Sequence, residues 1–153
     1  MRSLLISLPI LISVTGLLTA CGEERFSKPE YERLVRSSYA DVQQAFRATN
    51  VPSLELLGRR VAAAQAALRR SAHRLDDADP PAEVEQENEE LVEGLRDYAE
   101  QLDELRGAVA RGDRAAIRRF NSSLANNEAI ERIAEAAEEM KREGYDLGPI
   151  AEE

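Results

Sequence analysis

One thiol, Cys21, and one imidazole, His73, set the limits on what chemistry this 153-residue chain can do. A cysteine or serine nucleophile needs a base beside it and a turn that presents it. His73 has no serine in a Gly-flanked turn to accompany it, and Cys21 closes an apolar leader. A di-iron centre between facing helices needs Glu-x-x-His on two of them. Arg69 and Arg70 stand four and three positions before His73, where that glutamate would be. Haem held by Met and His would need Met140 opposite His73, yet Met140 already has the simpler role of packing near a helix end. His73 falls in the last turn of its helix and off the apolar seam, where a positive imidazole complements the helix dipole.

Carboxylates are abundant but poorly placed for acid–base work. Glu83, Glu85, Glu87, Glu89, Glu90 and Glu93 fall off the apolar seam, on a face open to solvent, without the desolvation that a catalytic acid needs. The run Asp76-Asp77-Ala78-Asp79 lacks the glycine and the terminal glutamate of a calcium loop. No Gly-rich phosphate loop occurs. The pattern therefore names no catalytic residue, no metal ligand and no cofactor, and points to a protein that is not an enzyme. Asn88 and Asn127 occupy inward-facing positions, where each either sets register by pairing with a polar partner or lines a ligand cleft. Tyr31, Tyr39, Phe46, Tyr98 and Phe120 recur at helical spacing and read as packing.

The leader explains the cysteine. Met1-Arg2 is followed by an aliphatic run from Leu4 to Leu18, interrupted by Pro9 and Gly16 and short for a membrane span, which needs about 20 apolar residues. Export followed by cleavage fits it. Leu18-Thr19-Ala20-Cys21 then closes the run before the polar Gly22-Glu23-Glu24-Arg25. This resembles the lipobox of bacterial lipoproteins. The resemblance covers only the first 22 residues or so and implies cleavage between Ala20 and Cys21 and acylation of the Cys21 thiol. It also implies anchoring to the membrane on the extracytoplasmic side. An anchor of two or three acyl chains holds firmly, at about 0.8 kcal/mol per buried CH₂.

Behind the leader, residues 21–27 read as a lipidated N-terminus and tether, 28–145 as a helical domain, and 146–153 as an acidic flexible tail. Ser27-Lys28-Pro29-Glu30 has the order of a capping box with proline in the first turn. Tyr31, Leu34, Val35, Ser38, Val42, Ala45 and Phe46 then share one helical face. Val51-Pro52 ends the pattern and Ser53 opens a second helix, with Leu54, Leu57, Val61, Ala64, Leu68, Ser71 and Leu75 in heptad register. After the linker through Pro80-Pro81, a third helix carries Val84, Asn88, Leu91, Leu95, Tyr98, Leu102, Leu105 and Val109. Asp113 caps a fourth, whose seam shifts phase near Asn126-Asn127, so a bend or local overwinding is expected there. Gly144 and Tyr145 suit a Schellman ending. The expected fold is all-α, an antiparallel bundle of about four helices with the third and fourth longest.

Charge adds two constraints. With 20 Lys and Arg against 29 Asp and Glu the net charge is −9, which argues against nucleic acid as a partner. The second helix carries five arginines against one glutamate and the third ten carboxylates against three arginines, so adjacency of the two is favoured. The function expected is a non-catalytic binding, adaptor or spacing role at the cell envelope. Its partners are the membrane through Cys21, with room for an envelope protein and for self-association. The alternative is an extracytoplasmic receptor for a small ligand or metal ion, with a cleft near Asn127 or on the acidic third helix.

Overall fold

The computed structural model describes residues 25–47 and 53–148. Its helices are α1 (Lys28–Phe46), α2 (Leu54–Asp76), α3 (Glu85–Ala110), α4 (Arg114–Ser123) and α5 (Glu128–Arg142). A 3₁₀ turn, Ala82–Val84, leads into α3, and another, Leu124–Asn126, joins α4 to α5. Counted with these turns, the third and fourth helices of a four-helix bundle are the longest. No strand occurs among the described residues.

The caps form where the residue types place them. The Glu30 carboxylate accepts from the Ser27 N–H at 3.0 Å and closes the start of α1. Ser53 accepts from the Leu56 N–H, and Asp113 from the N–H groups of Ala115 and Ala116. Both α3 and α5 end in glycines at positive φ, Gly112 at 69° and Gly144 at 81°. Behind each, the next residue's N–H returns to a carbonyl one turn back: Asp113 to Ala108, and Tyr145 to Met140. These are Schellman endings, and the second carries Tyr145 into the core.

The phase shift in the fourth helix is an interruption. Leu124–Asn126 is overwound and Asn127 is extended at φ −97° and ψ 109°, so α5 starts afresh with Asn127 as its cap. Asn127 accepts from the Ala129 and Ile130 N–H groups and donates to Gln101. Its oxygen is thus taken up by the cap and one of its two amide N–H groups by Gln101. Asn88 pairs as a register-setting residue does: it accepts from the Tyr31 hydroxyl at 2.8 Å and donates to the Leu75 carbonyl at 3.1 Å.

Packing runs in sequence order, α1 on α2, α2 on α3, and α3 on α4 and α5. The basic second helix and the acidic third lie side by side, with Arg69 on Asp103 at 2.9 Å and Arg96 on Asp76. These pairs are half exposed, so they orient the helices more than they stabilise them. α5 packs tightly on α3 at the buried Gly94, where Ala129 and Ile133 of α5 lie against the α3 backbone. At one end of the bundle Tyr31, Met140 and Tyr145 join α1 to α5, the two tyrosine rings meeting edge to face at 6.0 Å. α4 is peripheral and buries no residue fully.

Both flanks of the helical domain are held. Arg25 pairs with Glu85 at 3.1 Å and the Phe26 N–H donates to the Asp79 carbonyl at 2.8 Å, which ties the chain before α1 to the α2–α3 linker. Residues 146–153 were expected to form a flexible tail, but the stretch begins docked. Leu147 is buried, the Asp146 N–H donates to Glu32, and Arg36 donates to the Asp146 carbonyl. The physical reason is that Leu147 offers an apolar side chain to the same core that receives Tyr145.

Candidate functional site

The helix pairing leaves a gap. α1 is held against α2, α5 is drawn onto α3 at Gly94, and between α1 and α5 a slot opens whose floor is α2 and α3. Its cavity measures about 240 Å³. Val35, Ser38, Tyr39, Val42, Gln43 and Phe46 form the α1 wall and Ile130 and Ile133 the α5 wall. Leu68, Ser71 and Leu75 of α2 and Leu91, Leu95 and Tyr98 of α3 form the floor. No charged side chain lines it, and its character is almost wholly apolar.

A second cavity of about 190 Å³ adjoins the first and shares Phe46 and Tyr98 with it. These two rings stack at 5.8 Å and 11° between the chambers. Burial pushes the Tyr98 hydroxyl pKa up, so the ring stands there as a neutral phenol. Leu57, Val61 and Arg60 of α2, Leu102 and Leu105 of α3, and Phe120, Asn121 and Leu124 beyond them complete the second chamber.

Two buried side-chain polar atoms among the described residues lack a hydrogen-bond partner, Ser38 Oγ and Arg60 Nε. One lines each chamber. Ser38 is 2% exposed, and its hydroxyl faces this cost while its carbonyl accepts from Ser71 Oγ at 3.1 Å. Arg60 makes no ion pair among the described residues, unlike Arg59 on Glu55 or Arg69 on Asp103. An apolar cavity with a few convergent polar groups is the usual form of a small-ligand site.

The residues singled out in the sequence fall elsewhere. Ala20 and Cys21, the expected cleavage and lipidation residues, lie outside the described residues. His73 is exposed at the end of α2, with Nδ1 2.6 Å from Asp77, whereas Met140 is buried against the Tyr31 hydroxyl. A hydrogen bond to its own backbone, then the Asp77 charge, raise the His73 pKa. The pair therefore contributes below the ordinary histidine pKa and its contribution is lost as pH rises through the raised value. A small fall in Tm between about pH 6 and pH 8, absent in His73→Gln, is the expected result in a thermal scan.

Glu85, Glu89, Glu90 and Glu93 make an open acidic surface on α3. No group of three potential metal ligands occurs among the described residues. Tyr31 is core, Tyr98 and Phe120 pack against the core as expected and Phe46 stacks on Tyr98, but with Tyr39 these three also line the two chambers. The one sequence signal for this was the occurrence of Ser38 and Gln43 on or beside the apolar face of α1. No protein family, curated protein or solved structure matches the chain.

Proposed function

We propose that the protein is an exported, lipid-anchored helical bundle that acts without catalysis, by binding at the extracytoplasmic face of the membrane. The observation that carries the anchoring is Leu18-Thr19-Ala20-Cys21 directly after an aliphatic leader. No helix among the described residues is long and apolar enough to cross a membrane. An acylated Cys21 would supply the attachment, and four residues later Arg25 is fixed to Pro80 and Asp79 of the α2–α3 linker and to Glu85 at the start of α3. The bundle is thereby held at the end that carries Tyr31 and Tyr145. Replacement of Cys21 by Ala is expected to move the protein from the membrane to the soluble fraction and abolish its labelling by radioactive palmitate. Unchanged retention and labelling would refute the anchor.

The adjoining apolar chambers favour the more specific reading, a receptor for a small ligand. Neither the acidic surface of α3 nor Asn127 supports a metal site. A ligand that binds the folded state raises Tm with concentration. Single-chain amphiphiles are expected to do so and divalent cations are not; thermal scans against both sets make the comparison.

A further inference from the structure

We infer that the two chambers bind a single-chain fatty acid, with its aliphatic tail in the slot between α1 and α5 and its carboxylate at Arg60. This rests on the receptor reading and names the ligand class for it. Width, length and polarity each bear on the choice.

The slot is narrow. Its floor residues Leu68, Leu75, Leu91 and Leu95 are between 1 and 6% exposed although they line the opening. An α-helix with its side chains is about 10 Å across and would need that floor open to solvent. A partner helix is therefore excluded by width, and one extended hydrocarbon chain is not. The slot is also long for its volume, since Phe46 lies eleven residues after Val35 along the same wall, about 16 Å of helix. A chain-like ligand fills that shape.

Polarity sets the head. Nothing in the slot can compensate a charge, so whatever lies there is neutral and apolar. Beyond the Phe46–Tyr98 stack stands Arg60, with its Nε buried and unpartnered and no carboxylate of the described residues on it. A guanidinium so placed matches a carboxylate, through charge-assisted hydrogen bonds. Phe46 is the last residue of α1 and is 41% exposed, so the ring at the junction can turn aside without disturbing the core.

The test uses the full-length protein, extracted with its lipids in polymer-bounded discs, and a photoactivatable fatty acid. After irradiation, peptide mapping is expected to place the label on the Val35–Phe46 stretch, around Tyr98, and at Ile130 and Ile133. Unlabelled fatty acid should compete it away. Val42→Trp, which fills the slot, should abolish labelling while circular dichroism shows the fold retained. Arg60→Gln should weaken labelling by the acid about tenfold and leave a photoactivatable fatty alcohol unaffected. Label confined to the neighbourhood of Cys21, label spread over exposed faces, or label competed by an amphipathic helical peptide but not by fatty acid would overturn the proposal. Cys21→Ala separates the slot from the anchor, because a chain released from the membrane keeps its slot and should label equally.

Discussion

Asn88→Ala should lower the unfolding free energy by about 3 kcal/mol and Tm by roughly 10 °C. The asparagine is 5% exposed and holds three helices at one point. Its amide oxygen accepts from Tyr31 of α1, and its nitrogen donates to the Leu75 carbonyl in the last turn of α2. That carbonyl is one of the four that an α-helix leaves unpaired at its C-terminus. Truncation at Asn88 orphans both groups in the core, at about 1–3 kcal/mol each. Chemical denaturation of Asn88→Ala, Tyr31→Phe and the double variant closes a cycle, and the coupling expected exceeds about 1 kcal/mol. A coupling near zero would mean that Asn88 only fills space. Burial pushes the Tyr31 phenol pKa upward, with the Tyr145 and Glu87 charges adding to it, so the donor in this network stays protonated over the accessible pH range.

The second large effect is expected at Gly94. A Cβ there would stand 2.7 Å from Ile133 Cγ1 and 3.0 Å from the Ala129 carbonyl oxygen. The isoleucine can yield, but the carbonyl belongs to the α5 backbone. Overpacking of this kind costs about 1–3 kcal/mol, against a helix-propensity gain of about 1 kcal/mol for alanine over glycine. Gly94→Ala is therefore expected to destabilise by about 1 kcal/mol, and Gly94→Leu by more than about 3 kcal/mol, with α5 displaced from α3. Gly58 supplies the contrast. It is also helical, but a Cβ there meets only Val109 Cγ1 at 3.5 Å, an ordinary contact. Gly58→Ala should stabilise by about 0.5–1 kcal/mol. Urea titrations of the three variants check the order, and destabilisation by Gly58→Ala would show that backbone approach is not what separates the sites. Since Ile133 also walls the slot, Gly94→Ala should reduce fatty-acid labelling there as well.

Element boundaries were legible because they depend on neighbours in the chain. Ser53 and Asp113 cap the next helix through hydroxyl and carboxylate oxygens, and Gly112 and Gly144 turn left-handed where a side chain would strain. Heptad register named most of the core, including Leu68, Leu75, Leu91 and Leu102. The phase shift near Asn127 was legible as an irregularity. Its form, a 3₁₀ turn followed by a fresh capped helix, depended on Gln101 being there to take the amide. Leu147 was misjudged because a composition of acidic residues near the end hides one leucine that reaches the core.

The slot belongs to the other category. Periodicity tells which side of a helix faces inward and says nothing of how near the facing helix comes. α1 and α5 both present apolar faces, with Tyr39, Val42 and Phe46 on one and Ile130 and Ile133 on the other. The distance between them is decided by third parties: small residues let α5 sink onto α3 at Gly94, while Ser71 and Arg74 hold α1 to α2 through Ser38 and Asp41. Sequence alone determined an all-α chain with fixed caps, an acidic helix beside a basic one, and the residue expected to carry the anchor. Tertiary structure decided that two apolar faces stand apart, because helix separation is set by packing summed over several partners and is written in no single segment.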